Sequence, residues 1–263
     1  MTSPDAVITA LRTGHDSLAA TVSSFADDDL ARRSGSAEWD VSEVLSHLGS
    51  GAEITRATLR AALDGEPGPG RDFMQPVWDR WNAMTRRQRA DGFLRSSQAL
   101  TELYESLDQD TRTSLRIDLG FLPEPVDVAT AGRMRLSELT LHAWDVQVAF
   151  DEHATLAPDA TRELLHGAPD LLGWAAKPEW LEGRRAVVHV TTTDPASDFA
   201  LRLGERVSVD FDVPGTADGT LLLPAESWLR LVAGRLAPRH TPEGVATTGA
   251  ADLDLLRRVF PGY

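Results

Sequence analysis

The chain contains no cysteine. Disulfides, thiolate nucleophiles and thiolate-ligated zinc are thereby excluded, so any sulfur chemistry requires a thiol brought in from outside. Lysine is nearly absent too: Lys177 is the single lysine among the 26 basic residues, and the rest are arginines, whose planar forks suit carboxylates. Positive charge is outweighed by 40 acidic residues, for a formal net charge of −14. Such a surface repels phosphate backbones and anionic lipid, so neither nucleic acid nor a membrane is expected as a partner. No apolar run has the length of a membrane-spanning helix, and no basic-then-apolar signal pattern opens the chain; a cytoplasmic protein is expected. A phosphate-binding glycine loop is missing as well: Gly65 to Gly70 is interrupted by Pro67 and Pro69 and is followed by no Lys-Ser or Lys-Thr. There is no Gly-x-Ser-x-Gly elbow.

What is present is a chain of 263 residues with ordinary apolar content, 42%, long enough for one large domain or two modest ones. Apolar residues recur at helical spacing over residues 4–26, among them Val7, Ile8, Leu11, Leu18 and Val22. A second helix is predicted after Trp39, with Asp40 as N-cap and Glu43 three residues on, running to about residue 63. A third is predicted over 78–107 with an interruption at Ala90-Asp91-Gly92, and a fourth over 128–150. Four long helices with connections of mixed length predict a bundle. Beyond Pro158 the pattern changes. One helix over 159–176 leads into strands at 186–192, 199–203, 207–213, 219–223 and 245–248, with an amphipathic helix over 226–236 and a closing helix over 250–260. The expected class is α+β: a helical bundle over residues 1–155 followed by a small α/β domain over 156–263.

Glu138 and His142 stand four apart in the fourth helix, so both side chains share one face. His47 belongs to another helix of the same bundle, and bundle interiors build metal sites from facing helices. Two imidazoles and one carboxylate leave coordination positions open, as catalytic zinc sites do. The same trio suits non-haem iron or nickel, and a Glu/His pair at this spacing also occurs as a plain surface hydrogen bond. Asp145, three residues beyond His142 on roughly the same side, could accept a ring N–H or stabilise a neighbouring helix, and a plain surface or core hydrogen bond is an equal reading. Trp39 and Trp144 read as packing residues. His15, His153, His166 and His240 lie in polar or turn-rich stretches, and His189 alternates with Val188 and Val190 and so faces away from them; none of these is assigned chemistry.

The segment from Glu38 through Trp39, Asp40 and Val41 to His47-Leu48 resembles the Trp-x-Val…His-Leu signature of DinB-like proteins. Ser137-Glu138-Leu139-Thr140-Leu141-His142-Ala143-Trp144-Asp145 resembles the Glu-x3-His-x-Trp-Asp motif of the mycothiol-dependent maleylpyruvate isomerase family within that group. The stretch from Gly219 to Gly234-Arg235 is similar to that family's C-terminal domain. The resemblance implies a metal-binding four-helix bundle joined to a sterol-carrier-protein-like α/β domain, with His47, Glu138 and His142 as zinc ligands. It implies mycothiol, the small thiol of actinobacteria, as cosubstrate, and a small-molecule electrophile as acceptor. Arg80 and Arg235 are the candidates for holding that acceptor. The expected activity is that of a thiol transferase or thiol-dependent isomerase in which the metal activates the thiol. A hydrolase using metal-bound water and a non-enzymatic metal- or ligand-binding module are the alternatives, and either a monomer or a homodimer is compatible with the sequence.

Overall fold

Ser3 caps the first helix, its hydroxyl accepting from the Asp5 amide, and α1 (Pro4–Ser23) follows. A single turn, α2 (Asp27–Leu30), precedes the bundle's second long helix, α3 (Val41–Asp64). The Asp40/Glu43 capping box read from the sequence forms: Asp40 accepts from the Glu43 amide at 3.0 Å and Glu43 accepts from the Asp40 amide at 2.8 Å. At its other end Gly65 takes φ 70°, the left-handed C-cap conformation that favours glycine. The computed structural model describes residues 3–262 except 166, 168–171, 173, 174 and 214.

The predicted third helix is two helices, α4 (Arg71–Asn82) and α5 (Arg86–Glu105). The break falls at residues 83–85, where Thr85 and Gln88 form a second capping box, and not at Ala90-Asp91-Gly92. Gly92 is interior to α5 because the indole of Trp81 lies against it; a Cβ there would stand 2.8 Å from the ring. After α6 (Gln109–Ser114), a two-residue antiparallel pair, β1 (Arg116–Ile117) with β2 (Val126–Asp127), returns the chain to α7 (Val128–Gln147), which Asp127 caps. Helix α1 packs on α5 and α7, and α3 packs on the same two, giving a four-membered bundle of α1, α5, α3 and α7. Leu18, Val44, Leu45, Leu48, Phe93 and Leu136 have no exposed surface in its core. His15 belongs to that core, contrary to the polar setting expected of it. It is 3% exposed, and its Nδ1 lies 3.0 Å from the Ser97 hydroxyl.

The chain divides into two compact units, Met1–Asp151 and Glu152–Tyr263. The second opens with α8 (Pro158–Leu165); the remainder of the helix predicted over 159–176, His166 included, falls largely outside the described residues. A mixed sheet follows, built from β3 (Ala186–Thr193), β4 (Ser197–Leu203), β5 (Ser208–Asp210), β6 (Gly219–Pro224) and β7 (Ala246–Gly249) in the order β5-β4-β3-β6-β7. The β3/β6 pair is parallel and the others antiparallel. β5 is shorter than the predicted 207–213 because Asp210 accepts from the Asp212 amide and bends the chain there. The helix read as amphipathic, α9 (Ala225–Val232), is buried on every side. Its polar residues survive by pairing: Arg230 Nε donates to Glu226 Oε2 at 2.6 Å. The closing helix, α10 (Leu253–Val259), starts at the Asp252 cap. Val188 and Val190 face the core and His189 the other side, where it meets Asp198 at 2.8 Å. Among the described residues no helix is long and apolar enough to cross a membrane.

Candidate metal centre

The capping box at Asp40 sets the phase of α3. With Val44, Leu45 and Leu48 turned into the core, His47 sits at the edge of the buried stripe with its ring partly open to solvent. On α7, Glu138 and His142 lie on successive turns of one face, His142 buried and Glu138 half-buried. The two helices bring all three together. His47 Nε2 is 2.8 Å from Glu138 Oε2, and His142 Nε2 is 3.7 Å from the same oxygen. One ligand atom from each lies within 4.8 Å of the other two.

These distances test whether a metal fits. Tetrahedral coordination with bonds of about 2.0–2.1 Å spaces neighbouring ligand atoms about 3.3 Å apart. The observed 2.8 and 3.7 Å from the two imidazoles to Glu138 Oε2 bracket that spacing, and all three ligand atoms lie within 4.8 Å of one another, so the set fits a divalent ion after modest side-chain adjustment. The tautomer also suits. His142 Nδ1 lies 2.8 Å from Asp145 Oδ2; a carboxylate accepts, so the ring proton sits on Nδ1 and the Nε2 lone pair faces the centre. Asp145 has no exposed surface and is itself held: the Gly35 amide donates to its carbonyl at 2.8 Å. A Cβ on Gly35 would collide with Asp145, Trp144 and Val148, each within 2.9 Å. Trp39 is more than packing. Its ring lies 5.3 Å from that of His47 and 6.0 Å from that of His142, forming one wall of the site.

Burial pushes the Glu138 carboxyl up, but the His47 hydrogen bond and the positive field of His142, His47 and Arg135 outweigh it and bring its pKa down to about 2. The carboxylate is therefore charged and ready to ligate at neutral pH.

Beside His47 opens a cleft of roughly 180 Å³, walled by Trp39, Trp78 and Trp81 and edged by Ser46, Ser50, Asn82, Glu43 and Arg89. Arg80, a sequence candidate for holding the acceptor, is not on that lining; it is half-exposed on α4 and pairs with Glu53 at 2.5 Å. Arg235 lies in the second unit, 8% exposed, and donates to the Ala233 carbonyl at 3.0 Å. The cleft arginine is Arg89, which the sequence reading passed over. Its Nη2 donates to the Asn82 carbonyl at 2.9 Å and its Nη1 reaches the Ser42 hydroxyl at 3.4 Å. Arg80, Arg86 and Arg87 all pair with carboxylates. The only signal for Arg89 was its place in an arginine-rich helix start, which does not distinguish it from Arg86 or Arg87. Arg135 was passed over as well. It is 6% exposed, on α7 one turn before Glu138, and donates to the Leu48 carbonyl at 2.9 Å.

Comparison with known proteins gives two findings. Residues 11–147 match the family model described as the mycothiol maleylpyruvate isomerase N-terminal domain, just over half of the chain. Crystal structures of the mycothiol-dependent maleylpyruvate isomerase, and of a histidine-to-alanine mutant of it, share the fold: TM-score 0.65 at 15% identity, covering 96% of this chain and 98% of theirs. No curated protein matches.

Proposed function

The chain belongs to the family of the mycothiol maleylpyruvate isomerase N-terminal domain, and from that premise we propose that it is an enzyme joining a low-molecular-weight thiol, mycothiol, to a small electrophile at a divalent metal centre. His47, Glu138 and His142 would hold the ion, with zinc the first choice for this donor set. The observation that carries the reading is the convergence of these three side chains, from two helices, at the edge of an open cleft. The bound ion supplies Lewis acidity, lowering the pKa of an incoming thiol to the point where it ionises at neutral pH.

The chain's own groups account for the rest. Asp145 fixes the His142 tautomer. Trp39 and Trp78 offer apolar surface to the acceptor, backed by the buried Trp81, and reduce water around it. Arg89 offers a cation to the acceptor's acid group or to charge that develops on its carbonyl. In an isomerisation, the thiolate sulfur forms a bond to one alkene carbon while the π electrons move onto the conjugated carbonyl oxygen. Rotation about the resulting single bond follows. Return of the electrons expels the thiolate and leaves the trans alkene. In a transfer, the same addition ends with a proton taken up at carbon, and the thioether is the product.

The test is turnover of a panel of electrophiles, conjugated cis-enoic acids and epoxides, with and without thiol, on protein of measured metal content. Thiol-dependent turnover, lost together with metal in His47→Ala, is the expected result. Turnover in thiol-free buffer would replace this reading with metal-dependent hydrolysis. Metal content unchanged in His47→Ala would remove the ligand assignment.

A further inference from the structure

Arg135 is a costly residue to keep. Its guanidinium is almost wholly removed from water, and among the described residues no carboxylate lies within 4 Å of it. Its hydrogen bond runs to a neutral acceptor, the Leu48 carbonyl, the peptide that follows His47. Gly51, on the same face of α3, makes room for it: a Cβ there would lie 3.1 Å from Nη1. Tyr104, buried beside it, has its phenol pushed up to about 12 by burial, so it supplies no negative charge. A buried cation without a counter-ion costs several kcal/mol. The nearest anionic group on its own helix is Glu138, one turn on, whose carboxyl it helps to hold ionised.

The charges around the centre can then be counted. A divalent ion with two carboxylates, Glu138 as ligand and Asp145 behind His142, is neutral. Arg135 leaves the assembly with one positive charge in excess, and it is buried where salt screens it least. The cleft rim adds one group of each sign, Glu43 and Arg89, both partly buried, and these leave the sum unchanged.

We propose that Arg135 is the positioning residue that makes this centre select a monoanionic partner at its open coordination position over a neutral one, while tying α7 to the stretch of α3 that carries His47. The inference rests on the metal reading above and adds what that reading leaves open: why a thiolate, and not a neutral thiol or water, is the favoured partner.

The experiment uses the full chain loaded with cobalt(II), whose visible spectrum reports ligand exchange without turnover. Azide serves as the monoanion and imidazole as the neutral ligand, at one fixed pH and ionic strength. Arg135→Gln is expected to weaken azide about ten- to thirtyfold, the effect of one unit charge at roughly 8–12 Å where the effective dielectric is about 20, and to leave imidazole within about twofold. Arg135→Lys, which keeps the charge, should retain most of the azide affinity. Arg135→Met, close to arginine in length and uncharged, should do the same as Arg135→Gln and stands as the test if that variant does not fold. Equal losses of both ligands in Arg135→Gln would reduce Arg135 to a structural clamp and overturn the proposal. So would an azide affinity in Arg135→Lys that falls as far as in Arg135→Gln. Failure of the wild-type protein to take up cobalt would instead strike the metal reading itself.

Discussion

Asp145 and His15 are two buried polar residues of the same bundle put to different uses. Asp145 spends its carboxylate on the Nδ1 proton of His142. Asn in its place can present either an amide N–H or a carbonyl to the ring, so the tautomer is no longer fixed. Asp145→Asn is expected to weaken zinc about 10- to 100-fold, as loss of a carboxylate behind a histidine ligand commonly does, read by competition with a chromophoric chelator. His15 meets the neutral side chains of Ser97 and Gln98, and burial holds its imidazole below its ordinary value against the opposing pull of Asp16. The unfolded chain therefore takes up the proton first as pH falls. His15 gives its full contribution above about pH 6.5, and that contribution is lost as pH drops toward the folded value, with a slope of at most about 1.4 kcal/mol per unit. His15→Asn should abolish this part of the acid sensitivity, so that its urea stability relative to wild type rises as pH falls from 7 to 5. A difference independent of pH would contradict the assignment. Glu138 and His142 were legible from the sequence because the helix itself fixes their geometry. Arg135 and Arg89 were not, because what distinguishes them is which carboxylates lie out of reach, and that depends on how helices far apart in sequence pack.

At the scale of elements, the capping boxes did most to make the bundle readable. Asp40/Glu43 marks the start of α3, and Thr85/Gln88 marks the start of α5 just as plainly. The misplaced break came from giving weight to Gly92 and overlooking Thr85. Gly92 is helical for a tertiary reason: with Gly49 of α3 it forms the slot that receives the Trp81 indole from α4. Helix propensity alone predicts that Gly49→Ala stabilises by about 1 kcal/mol. The slot reverses the sign, since a Cβ at Gly49 would come within 2.1 Å of the ring. Trp81 is 3% exposed and donates through Nε1 to Glu53 at 3.0 Å, so it cannot simply swing out. Gly49→Ala should therefore destabilise by about 1–3 kcal/mol, measured by urea denaturation. Trp81→Leu in the same chain should recover part of that loss, the two positions being in contact and so non-additive. Additive effects would mean that the slot accommodates the methyl elsewhere. In the second unit, the alternation of Val188 and Val190 around His189 made β3 legible. The full burial of α9 was not, because the Glu226–Arg230 pair that permits it reads in sequence as a solvent-facing stripe.

For the whole molecule, the proposed ligands all fall in the first compact unit, contributed by α3 and α7. A metal that binds the folded form and not the unfolded one stabilises by mass action, about 2.7 kcal/mol at a free concentration one hundred times Kd. Where that stabilisation appears follows from who supplies the ligands. His47 and Glu138 stand 91 residues apart in the chain, so an ion joining them closes a long loop and should oppose every opening that separates α3 from α7. None of its three ligands comes from the sheet of the second unit. Zinc added to chelator-treated protein should therefore slow amide exchange in α3 and α7 by one to two orders of magnitude, the equivalent of that free energy, and leave β3, β4 and β6 at their metal-free rates. Chelator should reverse the change. Protection that rises in the sheet as much as in α3 and α7 would show that opening is governed by something other than the His47–Glu138–His142 link, and protection confined to the second unit would move the metal away from these three side chains altogether.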